Sequence, residues 1–213
     1  IALYAGSEVR EGEVHAFQIS ADGSLKRFAQ QSSGGAGPCH LSMTADGAVL
    51  GVANYGGGSV ASFATGVPDT FEVAVSTIQH VGSSIHPKRQ TSPKAHSFNF
   101  SPDGRFGYAA DLGADRIFIY TVDEATGALT PAGDFKMPPG AGPRHFTFHP
   151  SGDFAYVINE MTLSVTGFKV DRETGGLEAI QNLSTLPKGV EVKGSTAEIV
   201  CHPSGKFLYG SNR

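Results

Sequence analysis

The stretch HFTFHPSGDFAYVINE, residues 145–160, shows the pattern that decides the fold. Apolar and polar side chains alternate up to the two-residue turn Ser151-Gly152, and a second apolar run then ends at Asn159. Alternation with a period of two on both sides of an Asp-Gly or Ser-Gly turn is a strong signal of a β-hairpin. The stretch therefore predicts two antiparallel strands.

The same pattern occurs three more times along the chain of 213 residues. The other copies are HLSMTADGAVLGVANY (40–55), SFNFSPDGRFGYAADL (97–112) and EIVCHPSGKFLYGSNR (198–213). In all four copies, eight positions separate the first turn residue from the Asn or Asp that closes the second run, and successive turns are 57, 48 and 53 residues apart. The hairpin is therefore the start of a long repeat.

Further strand-like runs follow each hairpin, and they define the fold class. A third run follows in three copies (59–63, 116–120 and 164–168), and two copies continue into a fourth strand. The head of the chain fits the same pattern, with runs at 3–5, 13–19 and 25–29. Four antiparallel strands in each repeat are typical of a β-propeller blade. The sequence predicts an all-β propeller, because a β-sandwich, the alternative, gives no reason for the constant offset.

The repeats divide the chain into blades of a single domain. We expect blades at about 1–37, 38–92, 93–141 and 142–195, with a partial blade at 196–213. Radial packing leaves an apolar face exposed wherever a ring of blades is not closed. We therefore expect the 213 residues to be a piece of a longer protein.

Composition and charge exclude several classes of function. Glycine is abundant, with 28 residues, and tryptophan is absent. The net charge of −4, with no long run of either sign, argues against nucleic acid or an anionic membrane surface as a partner. No apolar stretch approaches the roughly 20 residues that span a bilayer. The two cysteines, Cys39 and Cys201, suggest buried, reduced thiols and hence a cytoplasmic location.

The residues that differ between equivalent blade positions indicate a site. In a propeller, the start of the innermost strand and the end of the second strand lie around one mouth of the channel. Ionisable residues suited to acid–base chemistry occupy these positions: His96, Arg144, Glu160 and Arg213. Histidine or glutamate can activate water, and arginine can hold a carboxylate or phosphate or stabilise an oxyanion. We predict that these four are catalytic.

A second group is predicted to bind substrate: His40, Asn54, His145 and Arg89. Each has a structural alternative. Asn54 shares its position with Asp111 and Asn159 and suits strand capping, His40 and His145 suit hydrogen bonds between blades, and Arg89 suits an exposed loop. No spacing of metal ligands appears, so we expect neither a metal nor another cofactor.

The quoted motifs resemble those of a known family over essentially the whole chain. The motifs are GPCH (37–40), ANYGGG (53–58), the loop 82–90, AHS (95–97), AADL (109–112), GPRH (142–145), NE (159–160) and SNR (211–213). The family is that of the seven-bladed β-propeller lactonases, which includes propeller-type 6-phosphogluconolactonases and carboxy-cis,cis-muconate lactonizing enzymes. The resemblance implies that about four to five of seven blades are represented here. It also implies a functional group of His, Arg, Glu and Arg, which falls on His96, Arg144, Glu160 and Arg213.

The resemblance implies an enzyme acting on a small anionic lactone or muconate. We expect a metal-independent lactonase, a carboxylic-ester hydrolase whose substrate is a sugar lactone such as 6-phosphogluconolactone. Two alternatives remain open: the reverse chemistry, in which a muconate is cyclised, and a non-catalytic propeller that serves as a binding module. The choice of His96 or Glu160 as the general base also remains open.

Overall fold

The computed structural model describes residues 2–6, 11–65 and 71–213, and every regular element in these ranges is a β-strand. The strands form five separate antiparallel sheets in chain order, of three, four, four, four and two strands. We call these sheets blades 1 to 5. The prediction of an all-β propeller built from four-stranded antiparallel blades is confirmed.

The strand bounds follow the chain from blade to blade. Blade 1 holds β1 (Ala2–Gly6), β2 (Glu13–Ile19) and β3 (Leu25–Ser32). Blade 2 holds β4 (Pro38–Met43), β5 (Val49–Asn54), β6 (Ser59–Ala64) and β7 (Ser76–Gln79). Blade 3 holds β8 (Ala95–Phe100), β9 (Phe106–Asp111), β10 (Arg116–Val122) and β11 (Leu129–Lys136). Blade 4 holds β12 (Pro143–Phe148), β13 (Phe154–Asn159), β14 (Ser164–Val170) and β15 (Leu177–Ser184), and blade 5 holds β16 (Thr196–Cys201) and β17 (Leu208–Asn212).

The predicted hairpin turns join the first and second strands of blades 2 to 5. Their glycines, Gly47, Gly104, Gly152 and Gly205, all have φ between 70° and 79°. This left-handed conformation is favourable for glycine and strained for residues with a side chain. The backbone conformation of each turn therefore favours the glycine that marks the turn in the sequence.

The core lies between neighbouring blades. One apolar cluster joins blades 1 and 2, a second joins blades 2 and 3, and a third joins blades 3 and 4. The ring of Phe98, which is fully buried, illustrates the packing. A Cβ atom added at Gly51 or Gly107 would come within 2.4 Å of this ring. The glycines on β5 and β9 thus leave the space that the aromatic ring fills.

The first strands of successive blades pack side by side, β4 on β8, β8 on β12 and β12 on β16. These are the innermost strands, and their starts define one mouth of the channel. The fourth strands lie at the outside, where β15 is exposed over most of its length. The structure also contains β7, a fourth strand of blade 2, which the irregular sequence between residues 67 and 95 did not reveal.

The prediction that both cysteines are buried is wrong. Cys39 is exposed at the mouth, Cys201 is partly exposed at the end of β16, and both are free thiols. Cys39 is the second residue of the innermost strand β4, while Cys201 belongs to the two-stranded blade 5. An apolar strand pattern does not distinguish the channel wall from the core between blades.

Candidate active site

A β-bulge at the start of three innermost strands presents one side chain to the mouth. The register of β4, β8 and β12 shifts at the same place, so that one residue in each strand lies opposite no partner on the second strand. These residues are Cys39, His96 and Arg144. Bulges redirect side chains and are common beside active sites. The same β-bulge thus occurs in three blades, and a side chain of a different chemical type occupies it in each blade.

The carboxylate of Glu160 is the centre of the site. Arg89 Nη2 lies 2.5 Å from Oε1, Arg144 Nε lies 3.0 Å from Oε2, and Arg213 Nη2 lies 3.4 Å from Oε2. His96 Nε2 lies 3.8 Å from the same Oε2. The four residues predicted to be catalytic therefore meet around one carboxylate, together with Arg89 from the predicted substrate-binding group.

The backbone fixes Glu160 in this position. It directly follows β13, and its backbone N–H donates to the carbonyl of Gly142, just before β12, at 2.7 Å. Its carbonyl accepts from the backbone N–H of Thr196, the first residue of β16, at 3.3 Å. Blades 4 and 5 therefore hold Glu160 from both sides.

Burial strengthens the electrostatic interactions within this cluster. Glu160 is 1% exposed, whereas the side chains of Arg89 and Arg213 are 37% and 54% exposed. The contact of Arg144 with Glu160 is an ion pair whose geometry falls short of a hydrogen bond, which leaves Oε2 without a hydrogen-bond partner. Three guanidinium groups face one carboxylate, so the cluster carries an excess of positive charge that is open to the mouth. An anion is the ligand that this charge attracts.

His96 is held in the neutral form. Burial, followed by the positive charge of Arg144, lowers the pKa of this imidazole from 6.5 to about 3. The edge of the ring contacts Tyr55, with ring centroids 4.9 Å apart, and the thiol of Cys39 lies 3.8 Å from Nδ1. A neutral imidazole at physiological pH is able to accept a proton.

Three imidazole rings follow one another along the channel wall. The ring of His145 lies between those of His40 and His96, at centroid distances of 5.1 and 5.4 Å. His40 Nδ1 accepts the backbone N–H of Phe98 at 3.3 Å, and His145 Nδ1 lies 2.8 Å from Oε1 of Glu198. Burial, followed by the neighbouring imidazole of His145, lowers the pKa of His40 to about 4. Both histidines therefore make the contacts between blades that their positions suggested, and they also line the mouth.

The loop that carries Arg89 is held by a buried glutamine. Gln90 is fully buried, and its amide group donates to the carbonyl of Leu112 at 2.9 Å. Its side-chain oxygen accepts the backbone N–H of His86 at 3.0 Å. Arg89 therefore reaches Glu160 from an anchored loop of blade 2, across 71 residues of sequence.

Asn54 is the predicted substrate-binding residue that the structure does not bring to this cluster. It is fully buried, and its side-chain amide donates to the carbonyl of Ser33 and to the hydroxyl of Ser59. Asn159 makes the equivalent bond to Ser164 at 3.0 Å. These contacts agree with the alternative role, the capping of the second strand.

Two further residues of the mouth were given no functional role from the sequence. Glu198 stands at the blade position occupied by His40 and His145, and it contacts His145. Tyr55 closes one side of His96. The comparison of equivalent positions brought both residues into view, but only the folded arrangement shows which neighbours they contact.

Within residues 2–6, 11–65 and 71–213, no group of three or more His, Cys, Asp or Glu side chains is arranged to hold a metal ion. In the same ranges, the structure has no helix that is long and apolar enough to cross a membrane.

A propeller with a cluster of arginine, glutamate and histidine at one channel mouth is the class of protein that these observations define. The sequence model of one family, described as "Lactonase, 7-bladed beta-propeller", matches residues 1–213. The chain belongs to this family of seven-bladed lactonase propellers.

Individual relatives agree with this family. The chain is 32% identical over 204 residues to a 6-phosphogluconolactonase of Bacillus subtilis, covering 95% of this chain and 58% of the relative. It is 35% identical over 215 residues to a 6-phosphogluconolactonase of Pectobacterium carotovorum, covering 99% and 60%. The solved structure of a periplasmic gluconolactonase from Pseudomonas aeruginosa superposes with a TM-score of 0.87 at 31% identity, covering 98% and 59%. The chain thus spans less than two thirds of the length of these relatives.

Proposed function

We propose that the protein is a lactonase that hydrolyses a sugar lactone carrying an anionic group, with 6-phosphogluconolactone as the substrate. The observation that carries the proposal is the convergence of Arg89, Arg144 and Arg213 on buried Glu160, beside a neutral His96. The names of the relatives support the same reaction, since two are 6-phosphogluconolactonases and one is a gluconolactonase.

We assign binding of the anionic group to the two more exposed arginines. The side chains of Arg89 and Arg213 are 37% and 54% exposed, so both remain within reach of a ligand in the channel. Guanidinium groups bind phosphate and carboxylate through paired, charge-assisted hydrogen bonds. In this account, Glu160 is the anchor that holds these groups in place before the substrate arrives.

We assign the general base to His96 rather than Glu160. Both carboxylate oxygens of Glu160 face guanidinium groups at 2.5 to 3.4 Å, and the residue is only 1% exposed, so its carboxylate holds the arginines and has little access to a water molecule in the channel. His96 is neutral in the empty site. An anionic substrate adds negative charge beside this imidazole, which makes it a stronger base when it is needed.

The reaction balances with these groups alone. His96 takes a proton from water while the water oxygen forms a bond to the lactone carbonyl carbon. Arg144, the more buried arginine, stabilises the negative charge that develops on the carbonyl oxygen, as an oxyanion hole does. The ring C–O bond then breaks, the protonated imidazole returns the proton to the leaving alkoxide, and the product is an open-chain hydroxy acid.

We also propose a cytoplasmic location, which the two free cysteines favour. Because one relative is named as periplasmic, the location needs its own test. Cell fractionation of the source organism is expected to recover the full-length protein with cytoplasmic markers, and recovery with periplasmic or extracellular markers would contradict this location.

The first test of the function is the ring-opening rate with the full-length protein. We expect 6-phosphogluconolactone to open faster than its spontaneous hydrolysis, with a lower KM than the unphosphorylated lactone. We expect His96→Gln to lower kcat on the order of 100- to 10,000-fold. The matched control is His149→Gln, whose imidazole contacts a turn serine instead of the mouth and whose loss is expected to leave the rate unchanged. No acceleration with either lactone, or faster cyclisation of a carboxymuconate, would contradict the proposal.

A further inference from the structure

Glu198 lies at the mouth, at one end of a line of polar contacts that reaches Arg144. It is on β16, and its carboxylate oxygen Oε1 lies 2.8 Å from Nδ1 of His145 on β12. Nε2 of the same imidazole lies 3.4 Å from Nη1 of Arg144. A line of polar contacts thus runs from Glu198 through His145 to Arg144, and on to Glu160 at 3.0 Å.

The direction of these hydrogen bonds follows from the charges. Burial raises the pKa of Glu198, but the hydrogen bond from His145, the backbone N–H of Ile199 and the nearby imidazoles together outweigh this effect and lower the pKa to about 2. An ionised carboxylate only accepts, so Nδ1 of His145 carries the proton and donates it. Nε2 is then free of hydrogen and accepts from Arg144, because a guanidinium group can only donate. Glu198 thereby selects the tautomer of His145 that Arg144 needs.

The equivalent contact in another blade shows that this tautomer is specific to blade 4. His40 stands at the same position as His145, but its Nδ1 faces the backbone N–H of Phe98 at 3.3 Å and must accept. The residue of blade 3 at the position of Glu198 is Ser97. One fold position therefore holds histidines of opposite tautomers, and the carboxylate of Glu198 makes the difference.

Arg144 also makes a direct hydrogen bond to β16. Its Nη1 donates to the backbone carbonyl of Ala197 at 2.5 Å, next to Glu198 in sequence. Its Nε faces Glu160 in a geometry that is not a hydrogen bond. The orientation of the guanidinium group is therefore set as much by β16 as by Glu160.

We propose that Glu198 is a positioning residue, which fixes the Nδ1–H tautomer of His145 and through it the guanidinium of Arg144 for the lactonase reaction. The part that concerns catalysis rests on the proposed function. The part that concerns the tautomer is independent of any activity.

The test compares wild type with Glu198→Gln in the full-length protein, using Glu178→Gln as the matched control. Glu178 is an exposed glutamate of the outermost strand β15. Nitrogen NMR shifts of labelled histidine report which ring nitrogen of His145 carries the proton, and lactone hydrolysis gives kcat and KM separately. Circular dichroism confirms that the variants are folded.

We expect Glu198→Gln to reduce or abolish the Nδ1–H form of His145 and to lower kcat on the order of 10- to 100-fold, with a smaller change in KM. Glu178→Gln should change neither. The proposal is overturned if His145 keeps its Nδ1–H form in Glu198→Gln, or if the tautomer changes while kcat stays within twofold of wild type. If wild type hydrolyses no lactone, the proposed function fails, and the NMR comparison alone decides whether Glu198 sets the tautomer.

Discussion

At the scale of single residues, the mouth depends on keeping a histidine neutral next to three arginines. His96 is buried beside Arg144 and in contact with Tyr55, so the protonated imidazole would add positive charge to a site that already has an excess. Glu160 offsets part of this charge at 3.8 Å, but it is shared with all three guanidinium groups. The site is therefore most stable when an anion occupies it or when His96 is neutral.

The pKa of His96 predicts how stability depends on pH. Its folded pKa, about 3, lies below its ordinary value of 6.5, so the unfolded chain binds a proton in this window while the folded chain does not. Stability therefore rises with pH between about 3 and 6.5, and it falls as the solution is acidified below 6.5. From His96 alone, we expect a loss on the order of 1 to 2 kcal/mol between about pH 6.5 and pH 5.

The comparison of wild type with His96→Gln in chemical denaturation at several pH values checks this expectation. The variant should lose less stability than wild type on acidification over this window. Equal losses in the two proteins would show that His96 does not carry the effect. His149→Gln is the control, since its imidazole lies outside the mouth, where it contacts the hydroxyl of Ser151 and the carbonyl of Gly205.

At the scale of elements, bulges and buried polar contacts join one blade to the next. The imidazole of His80, just after β7, contacts Asp111 Oδ2 at 2.6 Å and the hydroxyl of Tyr120 at 2.7 Å. Asp111 Oδ1 also accepts three backbone N–H groups, including that of Lys94 at 2.7 Å. This buried network connects blade 2 to blade 3 and fixes the segment that leads into β8, where His96 lies.

Removal of one hydroxyl from this network tests its structural role. Tyr120→Phe keeps the aromatic packing but leaves Nε2 of His80 without its partner, which should cost about 1 to 3 kcal/mol of unfolding free energy. Denaturant unfolding measures the loss, and lactone hydrolysis should remain close to wild type because the hydroxyl is outside the mouth. Tyr156→Phe, a change at a partly buried tyrosine of β13, is the matched control and should cost less. A loss for Tyr120→Phe that is no larger than for Tyr156→Phe would contradict the structural role.

At the scale of the whole molecule, the local charge at the mouth is positive, whereas the net charge of the protein is negative. The chain carries a net charge of −4, yet three arginines face the mouth around a single buried glutamate. A local positive field attracts an anionic substrate, and its range in solution is set by the Debye length, about 8 Å at physiological ionic strength.

Salt should therefore weaken the capture of a charged substrate. We expect kcat/KM for 6-phosphogluconolactone to fall at least severalfold as sodium chloride rises from about 50 to 500 mM. The uncharged gluconolactone, measured with the same enzyme, is the control and should change little. An equal response of both substrates would mean that the arginines do not act through long-range attraction.

The sequence predicted the hairpins, and it predicted that His96, Arg144, Glu160 and Arg213 lie together at one mouth, because both follow from repetition. The turns of the four repeats have local signals, and the comparison of equivalent positions separated the varied mouth residues His96 and Arg144 from the constant structural ones. Strand β7 was missed because it lies in the part of the sequence, residues 67–95, that matches the repeat of the other blades least. The contact of Arg89 with Glu160 and that of His145 with Glu198 join distant parts of the chain, and no local pattern encodes such pairs.

The measurement that tests the central claim most directly is lactone hydrolysis by a variant of the full-length protein that combines His96→Ala, Arg144→Ala and Glu160→Ala. Its rate is corrected for spontaneous ring opening, and its fold is checked by circular dichroism. We expect a folded protein whose kcat/KM for 6-phosphogluconolactone is at least about a thousandfold below wild type, since loss of a single oxyanion-stabilising group costs about 100- to 1,000-fold. Full lactonase turnover by this variant would show that the cluster around Glu160 is not the catalytic site.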